Sequence, residues 1–549
     1  MGYKALAAAL AALSMSTSAL AQHAAGHHVS PERIKSHVAF LSSDLLEGRE
    51  AGTRGHEIAA LYVAEQLAGL GFVGAGPNGS FFQPVTLHTR KLDSGTLTLN
   101  GPKGTRTFEH GGDIVTGASV LETNQTTTAP VVFAGYGLTA PGQKHDDYAG
   151  LDVKGKIVAI ISGTPKDWPS DVAAHLNGEK AKMAQAAGAI GVITVRTPTD
   201  EKMFAWAKIK DYLRKPAMTY VGADGKPHVE APLLKGGAYL NDTAAEVLFA
   251  GAPRTFKAVQ AEAEAGRSPK GFALPVTATI ARKSTHSTVT SPNVVAILPG
   301  SDPVLKNEVV VLMGHLDHLG IDQGVKGEDK IYNGAMDNAS GVAILLEVAH
   351  ALAEGKRPKR SVMVFTPTAE EKGLLGAEYF AANPPVPAER IVAAVNMDMP
   401  ILTYDFGEAV GFGAEHTTLG AVAAAAAQAE GVKLVPDPQP EQRFFTRSDH
   451  YALVQAGIPA IYLDTASGDR AGGKTGETAT NEFLEKHYHE PSDEIALPFD
   501  WGAAARLARI NVSIARQIAD ASERPRWLQG SFFGETFAPA QPKAGRGAK

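Results

Sequence analysis

From about residue 290 the sequence predicts an α/β protein on a mostly parallel, doubly wound sheet. Before that point it predicts a smaller, mostly β unit inserted into the chain. Three observations support this reading. Short apolar runs alternate with helical patterns after residue 290, which is the signature of β-α-β units. Between about 120 and 285 the texture is short strands broken by Gly and Pro turns. The chain has 549 residues, more than one core of ordinary size holds.

Met1 to Ala21 reads as a secretory signal, with Lys4, the apolar run Ala5–Leu13 and Ala19-Leu20-Ala21 before Gln22. Residues 23–28 read as a loose terminus. Ser30-Pro31 is an expected N-cap and first helical position. Ile34, Val38, Leu41 and Leu45 continue it at helical spacing, and a second helix is expected over 55–69. In the inserted unit, strands are expected over 131–133, 156–161 and 189–195, with a helix over 180–187. Beyond 290, strands are expected over 309–313, 361–366, 391–396 and 459–463. Helices are expected over 339–353, 374–382, 419–429 and 501–519. Residues 536–549 lack a core pattern and are expected to be disordered. The domains are therefore expected at 1–21 (signal), 22–120 (first part of the catalytic domain), 121–285 (insert), 286–535 (catalytic domain) and 536–549 (tail).

The hydrophobic share is 44%, the charged share 20% and the formal net charge −6. That balance is globular and carries no basic footprint for nucleic acid. After the signal, no stretch is long and apolar enough to span a membrane. There is no cysteine, so disulfides and thiolate metal ligands are excluded.

Five segments carry the chemistry: His315-Leu316-Asp317, Asp337-Asn338, Glu370-Glu371, Asp398 and His489. Several follow expected strands directly, and open α/β sheets bind ligands beyond the carboxyl ends of their strands. Two histidines and three carboxylates suffice for two zinc ions, with one carboxylate shared and a bridging water. A further carboxylate must stay off the metals as general base. Glu370 and Glu371 suit that division, one on metal and one facing the water. Asp317 is expected to accept the second N–H of the His315 ring. The set implies metal-assisted hydrolysis of an amide. Arg447-Ser448-Asp449-His450 holds serine, aspartate and histidine as neighbours, which rarely make a triad; Asp449 and His450 read as wall or support. Neither a Gly-x-Ser-x-Gly elbow nor a His-Glu-x-x-His motif occurs.

"GHLDHLG", "YNGAMDNASGVA", "TAEEKGLLGA", "NMDM" and "YHEPSD" resemble the co-catalytic di-zinc aminopeptidases of metallopeptidase clan MH, the zinc exopeptidases. "VVFAGYGLTAPGQKHDDYAGLDVKGKIVAIISGTP" and "KMAQAAGAIGVI" resemble a protease-associated (PA) domain. The resemblance implies two Zn2+ ions per chain and peptide substrates. It places His315 and Asp398 on one zinc, Asp337 between the two, and Glu371 with His489 on the other. Glu370 becomes the general base, and Asp317 orients His315. Met336 departs from the pattern, where relatives often carry a polar or acidic residue; this bears on pocket polarity. Glutaminyl cyclisation, a carboxypeptidase acting on acidic dipeptides (which Arg443 and Arg447 keep open) and a non-enzymatic receptor-like relative are the alternatives.

Overall fold

The computed structural model describes residues 29–209, 215–325 and 327–546, without the Met203 side chain. The signal expected at 1–21 and the stretch 23–28 lie outside the described residues.

Helix α1 spans Pro31–Leu41, and Ser30 accepts the Arg33 N–H as its cap. It ends sooner than the apolar spacing suggests. Ser43 caps a short turn over Asp44–Arg49, so Leu46 becomes buried and Leu45 is 85% exposed. Helix α2 spans Arg54–Gly69, capped by Thr53. Two long strands frame the insert: β1 (Phe82–Gly101) before it and, later, β6 (Phe272–Leu298). Between them lie β2 (Asn124–Phe133), β3 (Ile157–Ile161), α3 (Ser170–Gly178), α4 (Lys180–Ala186), β4 (Gly191–Val195) and β5 (Gly237–Leu240). After β6 come β7 (Val309–Met313), α5 (Gly341–Ala353), β8 (Ser361–Thr366), α6 (Leu375–Ala382) and β9 (Ile391–Asn396). β10 (Glu408–Phe412), α7 (Leu419–Ala429), β11 (Lys433–Val435), α8 (His450–Gln455) and β12 (Ala460–Thr465) follow. The chain closes with α9 (Thr475–Lys486), α10 (Trp501–Asp520) and α11 (Phe532–Phe537).

The strands join in the order β11-β10-β12-β9-β7-β8-β6-β2-β3-β4-β5, with β1 along β6. β8, β7, β9 and β12 are mutually parallel, so their carboxyl ends share one edge. All five residues of β7 are buried, as expected of a strand covered on both faces. One face packs under α1, α2, α5, α7 and α10, the other under α6, α8 and α11. The fold is thus a mixed α/β structure with a large, mostly parallel sheet and an inserted unit, as the sequence predicts.

β6 pairs antiparallel with β8 at its end and with β2 at its start. The boundary expected at residue 285 falls inside this strand, where the backbone runs on without a break. β2, β3, β4 and β5 are parallel neighbours around their own core. α3 meets the larger unit: the Tyr451 hydroxyl and His175 Nδ1 are 2.7 Å apart, and His416 Nε2 lies 3.3 Å from Asp171. The expectation of a disordered tail is corrected for residues 536–546, and residues 547–549 lie outside the described residues. Ala538 is buried, Leu528 bridges to Ala544, and the Ala544 N–H donates to the Trp527 carbonyl. Apolar periodicity missed this segment because backbone pairing to Trp527 and Leu528 holds it.

Candidate metal centre

Each loop leaving a parallel strand delivers one part of the cluster. β7 ends at Met313 and the chain turns through Gly314 to His315. A Cβ on Gly314 would lie 2.5 Å from the Met397 carbonyl, so only glycine lets these two loops close together. β8 leads to Glu370 and Glu371, and β9 to Asp398. Asp337 comes from the loop before α5, and its peptide to Asn338 is cis.

The five residues read as ligands come together. His315 Nε2 lies 3.1 Å from Asp398 Oδ1 and 3.2 Å from Asp337 Oδ1. The other oxygen of Asp337 is 3.3 Å from His489 Nε2, which is 3.1 Å from Glu371 Oε2. Two donor sets therefore share one carboxylate, with one oxygen turned to each histidine. Donors on a tetrahedral zinc, with bonds of roughly 2.0–2.2 Å, stand roughly 3.3–3.6 Å apart, close to these spacings. The residues present fit a pair of such ions.

The electrostatics match this charge density. Burial pulls the His315 pKa down, but Asp398, Glu370 and Asp337 raise it well above its ordinary value. His489 is pushed up to about 10 against burial by Glu371 and Asp337. Burial raises Glu370 well above the ordinary carboxylic range, with Glu371, Asp449 and Asp398 adding to it and His315 opposing. Glu370 lines the same cavity as His315, Asp337, Asp398, Arg447 and Tyr488. Its carboxylate makes no ion pair with either ligand histidine, whereas Glu371 does.

Asp317 does not do what the sequence suggests. The backbone carbonyl of Asp317 lies 3.1 Å from His315 Nδ1. The carboxylate instead accepts the N–H groups of Glu370 at 3.0 Å and Glu371 at 3.4 Å. It thus fixes the glutamate pair, and burial pushes its own pKa up to about 6. A His-x-Asp spacing does not reveal whether the backbone carbonyl or the side-chain carboxylate of the aspartate reaches the ring.

Four residues to which sequence reasoning gave no role support the cluster. His318 Nδ1 is 2.7 Å from Glu371 Oε1. Asn338 donates to the carbonyls of His315 and Met397 and accepts from Gly341 and Met399, tying three loops together. Asp493 accepts the N–H of Met336 at 2.8 Å and of Asp337 at 3.0 Å. Arg49 donates to the carbonyls of Leu41, Leu316, Asn333 and Gly334. Asp493 closes "HEPSD", and His318 the "GHLDH" segment, so both were visible as motif neighbours of ligands. Arg49 gave no local signal. Ser448 donates to Asp398 Oδ2 at 2.5 Å and accepts from Asn396, so it supports a ligand. Asp449 and His450 are fully buried beside it.

An α/β sheet with paired donor sets at its carboxyl edge, interrupted by a smaller parallel unit, defines a metallopeptidase-type fold with an inserted domain. The comparisons agree. The sequence profile of peptidase family M28 matches residues 293–515, and that of the PA domain matches residues 127–224. Over these two stretches the chain is similar to peptidase family M28, with a PA-like domain ahead of the M28-like segment. It is 26% identical over 283 residues to a probable zinc metalloprotease of Pyrenophora tritici-repentis, covering 44% of this chain and 57% of that one. It is 30% identical over 228 residues to a probable leucine aminopeptidase 2 of Aspergillus oryzae, covering 38% of this chain and 40% of that one. The chain thus spans about half the length of the curated relatives it matches. An aminopeptidase from Aneurinibacillus sp. strain AM-1 shares the fold, at a TM-score of 0.52 and 21% identity over 90% of this chain and 95% of that one.

Proposed function

We propose that this chain is a zinc-dependent aminopeptidase that hydrolyses the N-terminal bond of peptides with two metal ions. The observation that carries the reading is Asp337, whose two carboxylate oxygens face two different histidines. His315 and Asp398 would hold one ion, His489 and Glu371 the other, and Asp337 both. Bound there, a zinc pair supplies Lewis acidity for the scissile carbonyl and a water of near-neutral pKa. Glu370 would serve as the base that accepts a proton from the attacking water and would return it to the departing amine. Burial and neighbouring carboxylates make Glu370 ready to hold a proton. Asp317 keeps the Glu370 backbone in place, and His318 donates to Glu371 Oε1, which fixes the orientation of that carboxylate.

The reading places the insert at residues 121–285 within the catalytic domain. Export to the periplasm or outside the cell follows from the pattern at Met1–Ala21. Among the described residues no helix is long and apolar enough to cross a membrane. Arg447 lines the cavity and favours, as a second reading, an exopeptidase that grips a substrate carboxylate.

Amino-acid p-nitroanilides with free and N-acetylated amines discriminate these readings. The free amines are turned over, the blocked ones are not, and chelation abolishes turnover. Metal analysis of zinc-loaded, desalted protein should find about two equivalents per chain. Glu370→Gln keeps the zinc and loses about 10²- to 10⁴-fold in kcat. Blocked substrates cleaved as fast as free ones would overturn the aminopeptidase assignment. Full activity of Glu370→Gln would move the base elsewhere.

A further inference from the structure

A second cavity adjoins the metal centre and is acidic. Its walls include Val410, Phe412, Asp437, Phe444, Asp464 and Glu477. Phe444 is common to both cavities. Across β10 and β12, Phe412 faces Tyr462 and Val410 faces Asp464, so these four side chains share one face of the sheet. Tyr462 lines the metal cavity and donates to the Asp398 carbonyl at 2.8 Å. Asp464 lies two residues further along the same strand face, roughly 7 Å on. The strand that touches the metal donors therefore also delivers a carboxylate to the neighbouring cavity.

Asp464 is 6% exposed. It accepts the Thr465 N–H at 2.6 Å, with the Thr465 hydroxyl 3.5 Å away, and the Ile401 backbone also hydrogen-bonds it. Among the described residues, no arginine, lysine or histidine lies within ion-pair distance of Asp464, Asp437 or Glu477. Burial pushes the Asp464 pKa up to about 8, and burial raises Asp437 as well. A buried carboxylate with no cation is costly unless something else compensates it. Arg447 is turned to other partners: it donates to the Gln442 carbonyl and the Tyr488 hydroxyl, each at 3.1 Å, and lies over the Phe444 ring. The cavity thus combines apolar walls with carboxylates that lack a counter-charge. A lysine or arginine side chain matches it, with its methylenes against Val410, Phe412 and Phe444 and its charge at the far end.

We propose that this cavity receives the side chain of the substrate's first residue and selects lysine or arginine there, with Asp464 as the specificity-determining carboxylate. The proposal rests on the aminopeptidase reading and names its substrate class. An extended lysine side chain reaches about 6 Å from its Cα, comparable to the roughly 7 Å that two residues of strand span between Tyr462 and Asp464.

The test compares p-nitroanilides of lysine and its uncharged isostere norleucine, and of arginine and citrulline. Wild-type protein should favour each charged member by about 10- to 100-fold in kcat/KM, the worth of one charged hydrogen bond. Asp464→Asn should bring the lysine-to-norleucine ratio close to one. Glu477→Gln, at the exposed rim, should lower that ratio by a smaller factor. Equal handling of lysine and norleucine by the wild type, or an unchanged ratio in Asp464→Asn, overturns the proposal. Turnover of norleucine anilide keeps the aminopeptidase reading standing even then. No turnover of any free-amine substrate overturns both.

Discussion

At the scale of residues, the most consequential side chain outside the donor set is Arg49. It is 1% exposed, and its guanidinium spans carbonyls from α1, from the His315 loop and from the loop that precedes Asp337. Burial drives its pKa down to about 10, opposed by Asp493 and Asp337. Lysine has a point charge with three donors and cannot reproduce that fork. Arg49→Lys should cost about 2–4 kcal/mol, because buried carbonyls lose their partners; urea unfolding reads this as a lower midpoint at unchanged slope. His56 offers a second test. It is fully buried, and burial with Arg49 nearby lowers its pKa from 6.5 to about 3. The folded state holds it neutral, while the unfolded chain binds a proton below pH 6.5. The stability it contributes is complete above pH 6.5 and is lost as pH falls towards 3. Relative to wild type, His56→Gln should gain about 2 kcal/mol on going from pH 7 to pH 5. A pH-independent difference in unfolding free energy would contradict this assignment. The donor residues were legible in the sequence because His, Asp and Glu after apolar strands have few other reasons to recur there. Their orientation was not, as Asp317 shows: its backbone and side chain each had an oxygen to offer.

At the scale of elements, the site depends on how closely α2 seats on the turn that carries Arg49. Gly55 makes this possible, since a Cβ there would lie 1.8 Å from the Leu46 carbonyl. Gly55→Ala should force the two apart, cost about 1–3 kcal/mol and lower the thermal midpoint. A variant as stable as wild type would mean that the turn moves freely. The parallel strands were legible because both-face burial leaves continuous apolar runs, as in Val309–Met313. β1 and β6 were not legible. They are rich in Thr and Ser, with alternating exposed faces, and such residues also fill loops. α1 was read one turn too long because Leu45 fits the helical spacing, yet Ser43 restarts the chain and turns Leu45 outward.

At the scale of the whole molecule, β6 belongs to two units at once. Its start pairs with β2 in the insert and its end with β8 beside the metal loops. β1 follows it along most of that length. Separating the units would tear one continuous ribbon, so calorimetry should show a single transition, with calorimetric and van't Hoff enthalpies agreeing. Two resolved transitions would show that the ribbon does not couple them. The contacts of α3 with Tyr451 and His416 add a second seam, drawn from residues with no sequence relation to one another.

The sequence by itself determined the donor types, the parallel strands and the presence of an inserted unit. Each of these leaves a local mark: a residue kind, an apolar run or a change in turn density. Only the tertiary structure decided which oxygen meets which nitrogen, that Arg49 and Asp493 hold the loops, and that Asp464 stands beside the metal centre with no cationic partner among the described residues. Those are distances between segments far apart in the chain, set by strand order and close backbone approach.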